Sequence, residues 1–190
     1  MNDNIILTEV YNTYKINIIT DINPVDPREF DNFGKMQCFH RDYRLGDTLD
    51  FNTIEELIYF IKNPDIISLP LYLYDHSGIT MKTTPFSCRW DSGQIGYIYV
   101  SKEMIRKEFN CKKITKDIMD KVYKILISEV DTYDKYLRGE VYGYEIFDSY
   151  GDFKESCWGY SDSPEDIMKE IKENVIGLFD YQLSFELQEA

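Results

Sequence analysis

Two short runs form the densest cluster of polar and unusual residues: Asp75-His76-Ser77-Gly78 and Cys88-Arg89-Trp90-Asp91-Ser92-Gly93-Gln94. A thiol, an imidazole and carboxylates are the ingredients of a cysteine hydrolase, in which a histidine generates the thiolate and a third group orients the ring. On that reading Cys88 is the nucleophile and His76 the base. The sequence contexts that surround such nucleophiles are missing, and Cys88 follows Pro85-Phe86-Ser87 in a loop rather than opening a helix whose dipole would favour the thiolate. The simpler expectation is that His76 and Asp91 make turn hydrogen bonds and that Cys88 is a small packed residue.

Other groupings carry less. Cys38 and His40 are two apart and share a face if their segment is a strand, with Cys88 or Cys157 as further zinc ligands. Structural zinc sites collect their ligands in two close pairs, and the second pair is missing. Glu165-Asp166 reads as charge at a helix start, and no acidic loop has the spacing of a calcium site. Gly93-Gln94-Ile95-Gly96 precedes a strand, the reverse of the strand, loop and helix order of a phosphate cradle. No metal and no cofactor is implied. Residues 102–124 hold eight Lys and Arg against four acids, and Lys112, Lys113 and Lys116 are their nucleic-acid-facing candidates. The bland alternative is a solvated helix face balanced by Glu103, Glu108, Asp117 and Asp120.

The elements that must position these residues follow from periodicity. Ile5 to Tyr11 and Tyr14 to Thr20 are β-branched and aromatic runs joined at Asn12-Thr13, an opening hairpin. A proline-bearing loop over 21–31 leads to a short strand, Met36 to His40. Asn52, with Glu55 three residues on, caps a helix carrying Ile54, Leu57, Ile58 and Ile61 that stops near Asn63-Pro64. Strands are expected at Leu69 to Asp75, Gly78 to Lys82 and Ile95 to Val100, with a turn-rich segment over 85–94. Ser101 caps a short basic helix. The longest helix runs between Thr115 and Gly139, because Met119, Val122, Tyr123, Leu126, Val130, Tyr133 and Leu137 form one stripe. Glu140 to Asp148 and Phe153 to Tyr160 flank a turn, and Ser163-Pro164 opens a last helix with Ile167, Ile171, Val175 and Leu178. Strands cluster in hairpins rather than alternating with helices, so the fold class is α+β, a mainly antiparallel sheet covered by helices. One domain over residues 1–180 and an acidic tail over 181–190 is the simplest organisation.

Composition limits the function. The 190 residues are 43% hydrophobic and 15% aromatic, enough to fill a core. The 34 acids against 21 bases give −13, so unspecific DNA binding is disfavoured. The charge is lopsided: residues 140–190 hold thirteen acids and three bases, −10, whereas residues 102–124 are +4. Four cysteines without a CxxC pair fit reduced thiols. Met1-Asn2-Asp3-Asn4 is polar where a signal peptide starts positive, and no apolar run approaches the ~20 residues of a membrane span. A soluble, intracellular protein is expected.

Several stretches also match as a set: Pro27-Arg28-Glu29-Phe30-Asp31-Asn32-Phe33-Gly34, Cys38-Phe39-His40-Arg41, the run from Leu69 to Thr80 and Pro85-Phe86-Ser87-Cys88. Further matches are the run from Trp90 to Ser101, that from Glu129 to Gly139, and Cys157-Trp158-Gly159. Over most of residues 27–160 the chain thereby resembles a family of small acidic proteins carried by bacteriophages and other mobile elements of gut bacteria, some of whose members are anti-CRISPR proteins against type II effector nucleases. The resemblance implies a non-enzymatic inhibitor in the cytoplasm of the bacterial host cell, binding an effector nuclease with its guide RNA and blocking target DNA recognition or cleavage. It brings no catalytic motif. Contact would fall to exposed carboxylates and aromatics, for which Asp75, His76, Trp90, Asp91, Gln94, Asp162, Glu165 and Asp166 are the candidates. A phage hydrolase using Cys88 and His76 is the alternative.

Overall fold

The computed structural model describes residues 4–88 and 90–175. The expected tail at 181–190, Arg89 and Leu178 lie outside the described residues. The α+β class holds, every strand pairing is antiparallel, and the strands divide between two four-stranded sheets. Each sheet belongs to a compact unit, one comprising Met1–Val25 with Gly139–Ala190 and the other Asp26–Arg138.

The first unit is built on the order β1-β2-β7-β8, namely β1 (Ile5–Tyr11), β2 (Tyr14–Thr20), β7 (Tyr142–Phe147) and β8 (Phe153–Tyr160). Asn12 takes a positive φ of 54°, as a tight hairpin requires. Ile16, Ile18, Tyr144 and Ile146 alternate onto one face, and the helix α4 (Pro164–Glu170) meets them with Ile167 and Met168. A π-helical turn, Ile171–Val175, continues α4 and adds Ile171 to that core. Gly143 is required because the ring of Trp158 lies across it: a Cβ there would come within 2.2 Å of the indole.

The second unit has the order β3-β6-β4-β5: β3 (Lys35–Cys38), β6 (Ser92–Ser101), β4 (Ile66–Asp75) and β5 (Ile79–Lys82). Pro70 is tolerated inside β4 because β5 runs beside Tyr72–Asp75 only, leaving Pro70 with one neighbouring strand, at Tyr97. Gly96 lets β3 approach, since a Cβ would fall 1.9 Å from the Gln37 carbonyl oxygen. On one face Met36, Leu71, Leu73 and Ile98 pack against Leu126, Val130 and Tyr133 of α3 (Lys116–Leu137), the expected stripe. Tyr123 departs from it and stays 37% exposed. On the other face Tyr99 meets Phe60 of α1 (Ile54–Ile61), with ring centroids 5.2 Å apart. The short α2 (Lys102–Glu108) is capped by Ser101, as expected.

Several boundaries differ from the sequence reading: β4 begins at Ile66 rather than Leu69, and β7 spans only Tyr142–Phe147. The α1 cap is Thr53, not Asn52; its hydroxyl accepts from Glu56 N, while the Glu56 carboxylate accepts from Asn52 N. The capping box is thus displaced by one residue, Thr and Asn both being favoured caps and the fold selecting Thr53. β3 ends at Cys38 rather than His40, since the chain turns away after Phe39 N donates to the Ile95 carbonyl. β6 begins at Ser92, inside the segment expected to be turns.

A buried guanidinium joins the parts of this unit. Arg28, whose side chain is 4% exposed, donates through Nε and Nη2 to Asp47, both at 2.9 Å, through Nη1 to Glu129 at 3.1 Å and through Nη2 to the Gly34 carbonyl at 2.7 Å. Burial works against the charge, and the hydrogen bonds and charges of Asp47 and Glu129 outweigh it, holding Arg28 above its ordinary value. The carboxylates are satisfied in turn by Met36 N on Asp47 and by Phe33 N and Gly34 N on Glu129. Among the described residues no helix is long and apolar enough to cross a membrane.

Two substitutions separate apolar from ionic stabilisation. Leu126→Ala, at a fully buried site, should cost about 2–5 kcal/mol. Arg28→Met should cost about 3 kcal/mol, because it leaves two largely buried carboxylates, 17% and 13% exposed, without their cation. Urea unfolding at neutral pH measures both; a loss under about 0.5 kcal/mol at either position would remove that residue from the stabilising set.

Candidate functional site

The chain segments after β4 and before β6 fold back on each other at one end of the second sheet. Asp75 N donates to the Asp91 carbonyl at 2.8 Å, and His76 N to the Gly78 carbonyl at 3.1 Å, with Ser77 at a φ of +60° inside the tight turn. The Asp91 carboxylate is the hub. Its Oδ2 lies 3.5 Å from Cys88 Sγ and 3.6 Å from His76 Nδ1. Ser92 Oγ donates to the Cys88 carbonyl.

The structure therefore brings together Cys88, His76 and Asp91, three residues that the sequence puts in separate runs. Their order differs from that of a cysteine hydrolase. There the imidazole faces the sulfur and the carboxylate stands behind the ring; here Asp91 stands between them, receiving the thiol itself. Turn hydrogen bonds at His76 and Asp91 and a half-buried Cys88 agree with the simpler expectation.

No family model, curated protein or solved structure matches the chain. Its chemistry has to be read from the residues.

Around the hub lies an aromatic surface. Trp90 is 96% exposed. Tyr74 packs against Phe86 at 5.5 Å and His76 at 6.2 Å, and Lys82 Nζ sits 4.1 Å above the Phe86 ring. Tyr43, from the loop after β3, reaches over to donate from its hydroxyl to Asp75 Oδ1 at 3.4 Å and stacks on His40 at 5.0 Å. Both histidines of the chain thus belong to this end of the sheet. Neither Tyr43 nor Tyr74 stands out in the sequence as a site residue, because a tyrosine on a sheet face and one on a binding surface have the same local pattern. Gln94 is exposed further along β6, opposite Tyr72.

The remaining candidates are elsewhere. Asp162, Glu165 and Asp166 are exposed in the first unit at the start of α4, where Asp166 also accepts from the Ser163 hydroxyl and helps to cap the helix. Lys112 and Lys113 occupy the α2–α3 connection and Lys116 opens α3; all three are exposed. The zinc pairing of Cys38 and His40 does not form. Cys38 is 5% exposed in the core, and His40, beyond the end of β3, accepts at Nδ1 from Asp42 N and stacks on Tyr43. Among the described residues no group of three potential ligands could hold a metal.

Burial pushes the Cys38 thiol up from 9.0 to about 12, with the Asp47 charge adding to the effect. The folded protein keeps this proton to about pH 12 whereas the unfolded chain starts to lose it near pH 9, so stability is unaffected by Cys38 below pH 9 and falls as pH rises between the two. The slope from this group approaches about 1.4 kcal/mol per pH unit. Unfolding free energies of the parent and of Cys38→Ala from pH 8 to pH 11 should show the variant losing less over this range, and parallel curves would contradict the assignment.

Proposed function

We propose that the chain acts by binding rather than by turnover: it is an inhibitor that docks on a type II CRISPR effector nuclease carrying its guide RNA and blocks target DNA recognition or cleavage. The observation that carries a binding role is Trp90. An indole left almost wholly in water, next in the chain to Asp91, whose carboxylate gathers His76 and Cys88, has the residue type and exposure of an interface anchor. The CRISPR target comes from the sequence resemblance. Acidity supports it, because the effector's nucleic-acid channel is lined with positive charge. Co-purification with the effector, with and without its guide, is the direct test; a Trp90→Ala protein that folds normally should be retained about tenfold less.

A hydrolase remains the second reading because Cys88, Asp91 and His76 converge. Catalysis would demand that Asp91 move aside and the imidazole take its place. If the protein acts by binding alone, Cys88→Ser and His76→Ala leave inhibition within a few-fold of the parent. Loss beyond about a hundredfold at unchanged thermal stability would make the hydrolase the better account.

Electrostatic steering separates charge from shape. Opposite potentials raise the association rate at low salt, and screening limits their reach to about 10 Å at 0.1 M ionic strength. Association should slow as salt rises, and changing Asp162, Glu165 and Asp166 together to their amides should slow it further with little effect on dissociation. A flat salt dependence with parental rates would assign binding to the aromatic contacts and leave the acidity as a matter of solubility.

A further inference from the structure

The loop between β3 and α1 encloses an open cavity of about 780 Å³ on its own residues, 38–49. Neither Cys88 nor His76 lines it, so it is distinct from the Asp91 hub, although Tyr43 borders both. Its floor is apolar, with Leu45 8% and Cys38 5% exposed. Its wall carries the stacked His40 and Tyr43 rings, inclined by 26°, and Tyr43 is fixed through its hydroxyl to Asp75.

The charges on that wall do not balance. Asp47 is consumed by Arg28 and Met36 N, and Asp42 by the guanidinium of Arg41 at 3.0 to 3.2 Å. Arg44 has neither an ion pair nor a hydrogen bond among the described residues. His40 adds a donor: because Nδ1 accepts from Asp42 N at 3.2 Å, a neutral ring carries its proton on Nε2. After its internal pairs are made, the cavity thus offers ring faces, one N–H donor, one free guanidinium and no free carboxylate, in a volume typical of small-molecule sites.

We propose that this cavity binds a nucleotide, the base against the His40–Tyr43 pair and the phosphate on Arg44. Aromatic stacking of an unstacked base combined with Arg on the phosphate is a general mode of nucleotide recognition. The phosphorylated base is supplied either as a free mononucleotide or as one residue of a single strand. This goes beyond the proposed inhibition and is tested without any effector, so its failure leaves that reading standing.

Calorimetric titration of the full chain with AMP, UMP, adenosine, inorganic phosphate, phosphotyrosine and a single-stranded RNA trinucleotide decides it. Saturable binding of a mononucleotide or of the trinucleotide is expected, with adenosine and inorganic phosphate each at least about tenfold weaker. A trinucleotide about tenfold tighter than AMP identifies a strand as the source, and equal affinities identify the free nucleotide. Arg44→Gln, at an exposed side chain, and Tyr43→Leu should each weaken binding about tenfold without changing the melting temperature. No saturable binding of AMP, UMP or trinucleotide up to about 10 mM overturns the proposal. So does parental affinity in both variants, and so does phosphotyrosine or inorganic phosphate binding as tightly as AMP.

Discussion

A single cation held out of water organises the second unit. Taking Arg28, Asp47 and Glu129 out of solvent is costly, and the cost is offset only because every charged group finds several partners at once. Those partners lie far apart in sequence: the turn at Pro27–Glu29, the chain at Phe33 to Met36, the loop at Asp47 and the middle of α3. Fixing Asp47 fixes the loop around it. Asp47 N donates back to the Met36 carbonyl, and Gly46 N donates to the Tyr133 hydroxyl at 2.9 Å. The buried Gln37 amide then spans Thr48 O and Asp50 N. The walls of the 780 Å³ cavity therefore rest on an ion network and on α3 as well as on the end of β3.

What could be read from the sequence was whatever depended on neighbours in the chain. The opening hairpin, the caps at Ser101 and Ser163, the start of the longest helix at Thr115 and the stripe of α3 are local, since each rests on residues a few positions apart. The α1 cap shows the grain of such reasoning: Asn52 and Thr53 are both good caps, and the choice falls to the fold around them. The Arg28–Glu129 contact joins residues 101 positions apart, and no local pattern encodes it. The division of the strands between two sheets was hidden for the same reason, because β2 takes β7 as its second neighbour and passes over every strand between.

The site was legible in composition and not in arrangement. Asp75, His76, Cys88 and Asp91 attract notice as residue types, and the backbone bond from Asp75 N to the Asp91 carbonyl does unite their runs. Which group stands in the middle decides the chemistry, and it is Asp91. Tyr43 joins the cluster from a third segment. The acids at the start of α4 and the cations around Lys112 belong to different units, so the uneven charge along the sequence corresponds to a division in the fold.

The pairing of β2 with β7 also bears on how the chain leaves the ribosome. Thr20 faces Tyr142, so β2 emerges roughly 120 residues before its partner, an interval of about 6 to 24 s at 5–20 residues per second. The whole of Asp26–Arg138 is made in that interval as one uninterrupted stretch. Whenever the first hairpin forms in that interval the edge of β2 is open, and an isolated hairpin is only marginally stable. Lys15 and Asn17, on the strand that waits, put polar groups along an edge that would otherwise invite pairing with another nascent chain. Vectorial synthesis thus imposes a folding order on this topology, with the inserted unit first and the enclosing sheet last.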